Sequence, residues 1–238
     1  MEEILRHGAA QFGLELTKAQ LDAFERYCQE LIAWNQRFNL TRIVEPEEIA
    51  VKHFLDSLSV CLALPALPAS LGLIDVGSGA GFPGLPLKIA LPNLRLTLLE
   101  ATGKKVTFLK HMVEVLNLEE VSCLTSRAEE TGQQPAQRQK YDVAVARAVT
   151  TLPVLAEYTL PLVKVGGLVI AQKGQEPAAE VEAAAKAIRI LGGQVKEISP
   201  VSIPRLEGAR HLVIIKKIKP TPPEYPRRPG LPAKKPIG

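Results

Sequence analysis

Gly77, Gly79 and Gly81 sit at alternate positions just after an apolar run, Leu73-Ile74-Asp75-Val76, that carries a carboxylate near its end. Pro83 and Gly84 then open a helical pattern. Strand, tight glycine turn and helix start form the layout that holds a ligand at the carboxyl edge of a parallel sheet. The glycines let the backbone turn sharply and let a ligand approach the main chain, and Pro83 suits the first helical position. Two ligand classes use such a loop. Gly79, Gly81 and Gly84 fit the dinucleotide spacing, although that pattern begins two residues late. Asp75 followed by Gly-x-Gly-x-Gly fits a different ligand. A carboxylate beside the turn disfavours a pyrophosphate and favours a phosphate-free nucleoside carrying positive charge. The structural alternative for Asp75 is a cap on the turn amides.

The other candidates end the later strands. Glu100, 19 residues after Gly81, can accept both ribose hydroxyls in either ligand class. Ser126-Arg127-Ala128-Glu129 is placed to reach an adenine, with Glu129 or a backbone group reading its amino edge. Arg147 ends the apolar run Val143–Ala146 and so faces the cleft, and Lys173 has the same geometry one strand later. His53 and Asp56 lie one turn apart on a helix. They form either a satisfied structural pair or part of a site.

Alternating elements position these residues. The strand candidates are Leu71–Val76, Leu94–Glu100, Val121–Thr125, Tyr141–Arg147, Gly167–Gln172, Gln194–Ile198 and His211–Lys217. Helical patterns over Pro83–Leu91, Lys104–Leu116, Leu152–Leu162 and Pro177–Leu191 separate most of them, which predicts an α/β fold with helices on both faces of a mostly parallel sheet. About a dozen residues with Pro200 and Pro204 part the last two strands, too few for a helical crossover, so these pair antiparallel. Residues 1 to about 63 read as helices. Thr17 caps the first strong pattern, the polar stretch Asn35–Thr41 forms a connection, and Pro46 opens a further helix. Pro65–Ser70 reads as a linker.

Composition narrows the class. A chain of 238 residues with 46% hydrophobic content supports one α/β domain with an appendage. No apolar run reaches bilayer length, and Met1-Glu2-Glu3 does not begin a signal peptide. Cys28, Cys61 and Cys123 lie far apart without metal-type spacing, as expected of reduced thiols in a cytoplasmic protein. Net charge is +4, unevenly placed. From Ile215 to Gly238 seven basic residues stand against Glu224 alone, a net +6, so the rest of the chain carries −2. A basic end on a slightly acidic body points to a polyanionic partner there. The same segment is rich in proline and should run extended along the surface.

The Asp75 and glycine pattern resembles the first motif of S-adenosylmethionine-dependent methyltransferases. More specific are Asn39-Leu40-Thr41-Arg42-Ile43, Lys52-His53-Phe54-Leu55-Asp56-Ser57-Leu58, Arg147-Ala148-Val149 and Pro226-Arg227-Arg228-Pro229-Gly230. Together with Phe82-Pro83-Gly84 they resemble the bacterial small-subunit ribosomal RNA guanine-N7 methyltransferases, the glucose-inhibited division protein B family. The resemblance implies a Rossmann-like class I methyltransferase fold, seven-stranded with an antiparallel last strand. The implied organisation is a helical segment over 1–64, the methyltransferase domain over 65–218 and a basic tail over 219–238. It implies S-adenosylmethionine as cofactor, with Gly77, Phe82, Ala128, Glu129 and Arg147 lining its site and Glu100, Ala101 and Thr102 close by. It also implies a guanine of 16S ribosomal RNA, free or in the small subunit, as substrate, and a monomer with neither metal nor membrane.

On this reading the glycine-loop amides, Asp75, Gly79 and Glu100 fix the cofactor while Arg147 acts in transfer. Lys173, Arg227, Arg228, Lys234 and Lys235 hold RNA. Deleting Pro226–Gly238 should then weaken RNA binding and leave cofactor binding intact. The rivals are an NAD-type oxidoreductase on a similar sheet and a non-catalytic RNA-binding protein.

Overall fold

In the computed structural model, which describes residues 1–64 and 71–238, alternating hydrophobic runs become seven strands of one sheet. They are β1 (Gly72–Val76), β2 (Arg95–Glu100), β3 (Val121–Thr125), β4 (Tyr141–Arg147), β5 (Val163–Lys173), β6 (Gly193–Val201) and β7 (Arg210–Lys217). Their order is β3-β2-β1-β4-β5-β7-β6. The first five run parallel, and β7 is antiparallel to both β5 and β6. The expected antiparallel pairing of the last two strands is therefore present, with β7 inserted between β5 and the edge strand β6. β5 begins at Val163, four residues before its predicted start, and a register break separates Val163, opposite Tyr141, from Leu168, opposite Val143. The linker expected over Pro65–Ser70 lies outside the described residues.

The helices are α1 (Glu2–Ala10), α2 (Lys18–Phe38), α3 (Pro46–Ile49), α4 (Asp56–Leu58), α5 (Gly84–Ala90), α6 (Gly103–Val115), α7 (Ala128–Thr131), α8 (Leu152–Thr159), α9 (Pro177–Ile190) and α10 (Leu231–Lys234). A π-helical turn, Ala50–Leu55, joins α3 to α4. Thr17 caps α2 as predicted, and Gln20 completes a reciprocal capping box. The expected connection over Asn35–Thr41 is shorter than predicted, because α2 continues to Phe38. Trp34 and Phe38 stack at 5.3 Å on one side of this last turn, and Asn39 closes it in the left-handed region.

Two-residue periodicity divides the core. Leu73, Leu96, Leu98, Val143, Val145 and Ile170 face the layer built by α1, α2, α5, α6 and residues 49–60. Ile74, Val76, Leu99, Ala144, Ala146 and Val169 face α8 and α9. The N-terminal helices are thus one wall of the core, contributing Phe24, Tyr27, Phe54 and Leu58 at full burial. No helix among the described residues is long and apolar enough to cross a membrane.

Candidate functional site

The glycine loop has the predicted shape and a different use of its amides. Gly77, Gly79 and Gly81 all have positive φ, and a Cβ on Gly77 would lie 2.8 Å from Val149. The Gly77 and Ser78 amides donate to the Leu99 carbonyl, that of Gly79 to Glu100 Oε2 at 3.0 Å, and those of Gly81 and Phe82 to the Ser78 carbonyl. Five of the six amides from Gly77 to Phe82 thereby have partners inside the protein, so they do not form the open nest that cradles a phosphate. Tyr27, fully buried on α2, braces the loop through its hydroxyl, which donates to the Ala80 carbonyl at 2.5 Å.

Asp75 lies beneath this loop, not at its mouth. It shares the parity of Leu73, so its side chain points under α5, where it is 0% exposed. Its Oδ2 accepts the Gly84 amide at 2.9 Å, which caps α5. Pro83 is consequently the N-cap residue, and the helix starts one position later than predicted. Oδ1 has no partner. Burial pushes the Asp75 carboxyl up to about 7, against the pull of the Gly84 amide and the more distant Arg147 charge. The structural alternative for Asp75 is thus present, and any influence on a ligand acts through the loop.

A cavity of about 300 Å³ opens at the carboxyl ends of β1, β2 and β3. Gly77, Glu100, Ala101, Ala128 and Glu129 line it, five of the residues proposed for a cofactor. Glu100 is held rigidly, accepting the Gly79 amide on Oε2 and the Thr102 amide on Oε1 at 2.8 Å. Thr102 contributes this amide and the N-cap of α6. Among the lining residues, Lys105 and Tyr158 were not singled out from sequence, and Ala148 and Val149 entered only through the motif that follows Arg147. Tyr158 comes from α8 with no motif to mark it. Burial and the neighbouring Glu129 carboxylate push its hydroxyl up to about 12, so it remains a donor.

A second cavity, about 550 Å³, adjoins the first, and Ala148 lines both. Arg147 stands at this junction. Its Nη1 donates to the Lys52 carbonyl at 3.0 Å and to Asp56 Oδ2 at 2.8 Å, and its Nη2 to His53 Nδ1 at 3.2 Å. Its guanidinium lies 4.9 Å from the Phe82 ring centre. Phe82, which lines neither cavity, is stacked between Tyr27 and His53 at 5.4 and 4.5 Å. His53 and Asp56 do not hydrogen-bond each other, and Arg147 binds both. Because an arginine can only donate, His53 Nδ1 accepts and Nε2 carries the hydrogen, which goes to Thr41 Oγ1 at 2.8 Å. Burial and the Arg147 charge hold the imidazole neutral, with its pKa lowered to about 3.

Gln172 completes the floor of the second cavity. Its Nε2 donates to the Asp56 carbonyl at 2.6 Å, which fixes the amide orientation, and its buried Oε1 has no partner. Lys52, Lys173 and Arg210 add positive charge, with Glu207 opposite. Arg210 opens its strand, yet β7 is antiparallel, so it reaches the same sheet edge as residues that end parallel strands. Its Nε lies 3.4 Å from Asp56 Oδ1. Lys173 is bound to Glu180 Oε2 at 2.6 Å and to the Thr150 carbonyl at 3.0 Å.

The tail departs most from expectation. It does not run extended over the surface: Thr221, Pro226, Pro232 and Ile237 are buried, and Leu231–Lys234 forms a helical turn. Arg227 is not free for RNA. It forks onto Glu157, which is 0% exposed, with contacts from 2.6 to 3.2 Å. Arg228, Lys234 and Lys235 are exposed and form no ion pair among the described residues.

Comparison with known proteins agrees with this architecture. A family model described as rRNA small subunit methyltransferase G matches residues 20–213. The chain is 52% identical over 235 residues to ribosomal RNA small subunit methyltransferase G of Roseiflexus sp. (strain RS-1), covering 99% of each chain. It is 46% identical to the protein of the same name from Acetivibrio thermocellus, covering 100% of this chain and 97% of the relative. Among solved structures, a SAM-dependent methyltransferase from Aquifex aeolicus superposes with a TM-score of 0.55 at 16% identity, covering 76% of this chain and 97% of its own. A complex between the Haloferax volcanii Trm112 methyltransferase activator and a putative methyltransferase gives 0.58 at 12% identity, covering 79% of this chain and 98% of the matched one. Fold and full-length sequence similarity converge: the chain belongs to the rRNA small subunit methyltransferase G family of methyltransferases.

Proposed function

We propose that the chain transfers a methyl group from S-adenosylmethionine to N7 of a guanine in small-subunit ribosomal RNA, the nucleoside in the smaller cavity and the base in the larger. The observation that carries this reading is the junction at Ala148, where two cavities of different chemistry meet. The smaller one fits the cofactor. Its glycine-loop amides are already occupied, which suits a ligand without phosphate. Glu100 and Glu129 offer carboxylate acceptors to hydroxyls and an amine. Beneath the loop, the orphan Asp75 Oδ1 adds an acceptor dipole, and negative charge when ionised.

When bound, S-adenosylmethionine supplies an electrophilic methyl group on a sulfonium. The chain's own work is alignment, which can contribute roughly 7–11 kcal/mol by making transfer effectively unimolecular. Attack by N7 releases no proton, so no side chain has to act as a base. His53 fits that requirement: it is neutral, its acceptor nitrogen is taken by Arg147, and it orients that arginine. Gln172 lines the larger cavity with its amide fixed against the Asp56 carbonyl, which makes it the candidate for reading the base edge. Arg147, Lys52 and Arg210 supply donors for O6 and the backbone phosphates.

Incubating the protein with labelled S-adenosylmethionine and small-subunit RNA, free and assembled, tests the reading. Chemical scission at N7-methylguanine should mark one position in the RNA. Label on another atom would refute N7 transfer, and label confined to another RNA would refute the substrate.

A further inference from the structure

The elements that wall the smaller cavity are tied down by a segment that never enters it. α7 carries Ala128 and Glu129, and α8 carries Tyr158. Both are fastened to residues 219–238. The Gly230 amide donates to Glu129 Oε1 at 2.9 Å, fixing the carboxylate that lines the cavity. Next to Tyr158 in the chain, Glu157 takes the Arg227 amide at 2.8 Å as well as the Arg227 side chain. Pro226 packs so closely on Gly132 that a Cβ there would approach it to 2.7 Å.

A second anchor lies further back. The Arg138 guanidinium donates to four carbonyls, one on Gly132 just after α7 and three in the tail, on Thr221, Pro222 and Tyr225. Gln133 reaches two more, on Pro223 and Pro226. Lys217, fully buried, holds the tail's root through the Thr221 hydroxyl. Side chains of the body thus answer five of the six carbonyls from Thr221 to Pro226. That pattern belongs to a docked element, not to a flexible arm for RNA.

We infer that residues 219–238 are a built-in brace of the nucleoside cavity, holding Glu129 and Tyr158 in place and thereby setting cofactor affinity. The inference rests on the reading that this cavity takes S-adenosylmethionine. Arg227, Arg138 and the Gly230 amide are positioning groups that touch no reacting atom. Because coupling between two equilibria is reciprocal, whatever factor the docked tail adds to cofactor affinity the cofactor must return to tail docking.

The test compares the full-length protein with Arg227→Ala, Arg227→Lys and Arg138→Ala. Releasing the tail should raise Kd and KM for S-adenosylmethionine about 5- to 150-fold, with kcat at saturating cofactor unchanged. Arg227→Lys should recover part of the loss. In the unaltered protein, S-adenosylmethionine should slow hydrogen exchange at the Gly230 amide, a measurement that does not depend on a variant folding. Unchanged exchange at Gly230 on cofactor binding would overturn the brace. So would unchanged cofactor affinity in a variant whose Gly230 amide exchanges freely, or a loss confined to RNA affinity. Failure of the unaltered protein to bind S-adenosylmethionine would instead overturn the cofactor assignment itself.

Discussion

Arg147 is the side chain on which the larger cavity depends. Its three protein acceptors all lie between Lys52 and Asp56, so it ties the end of β4 to the N-terminal layer. Arg147→Ala would leave the buried Asp56 carboxylate with Arg210 alone, a loss of about 3 kcal/mol in stability. The sharper probe is Arg147→Lys, which keeps the charge but not the fork. We predict that it lowers methyl transfer about 100-fold through misalignment, measured at saturating cofactor in a protein that remains folded. Gln172→Leu should reduce kcat/KM on RNA by about 10- to 100-fold, the worth of a base-reading contact, with cofactor affinity unaltered.

His53 gives a pH test at the same scale. Its pKa falls from 6.5 in the unfolded chain to about 3 in the fold. Between those values the unfolded state binds the extra proton, so this residue's contribution to stability is complete above pH 6.5 and declines as pH falls toward 3. Unfolding measured by denaturant at several pH values should show a shallower acid limb for His53→Gln, by up to about 1.4 kcal/mol per pH unit. An identical limb would mean that the imidazole is not held neutral.

Among elements, the loop after β4 separates the two cavities, and Ala148 within it holds a left-handed φ of 54°. Lys173 and Glu180 fasten it, through the Thr150 carbonyl and the Leu152 amide. Ala148→Gly removes the steric strain yet loosens the partition. We expect melting temperature to hold or rise while methyl transfer falls, so a variant with full activity would count against a rigid partition. Much of this level was legible in the sequence. The strand, glycine turn and helix around residues 72–90 follow from pattern, and so do the ends of β3 and β4. The place of Asp75 was also implicit, since alternation with Leu73 puts it under α5, whereas its charge alone points to the crevice. Arg210 escaped notice because only pairing shows that the start of β7 shares an edge with the ends of its neighbours. Tyr158 carried no local signal: its role comes from where α8 packs.

For the whole molecule, uneven charge correctly marked the tail as special and misjudged its attachment. A run of prolines rules out regular structure but says nothing about docking, and Arg227 and Glu157 are far apart in sequence. Three exposed cations, Arg228, Lys234 and Lys235, still face solvent. If each meets one phosphate, replacing all three by alanine should flatten the dependence of log affinity on log salt by about 2 on a single strand, as measured by filter binding. The N-terminal layer carries as much of the site as the sheet does, since Tyr27 braces the glycine loop and residues 52–56 hold Arg147. The smaller cavity, the larger cavity and the tail therefore form one connected structure.

The central claim, that the glycine loop receives a phosphate-free cationic nucleoside, is tested most directly by titration calorimetry of the full-length protein with S-adenosylmethionine and with NAD. The account predicts one saturable site for S-adenosylmethionine, weakened when Gly77→Val fills the cavity wall, and no heat from NAD. Saturable binding of NAD with none of S-adenosylmethionine would contradict it.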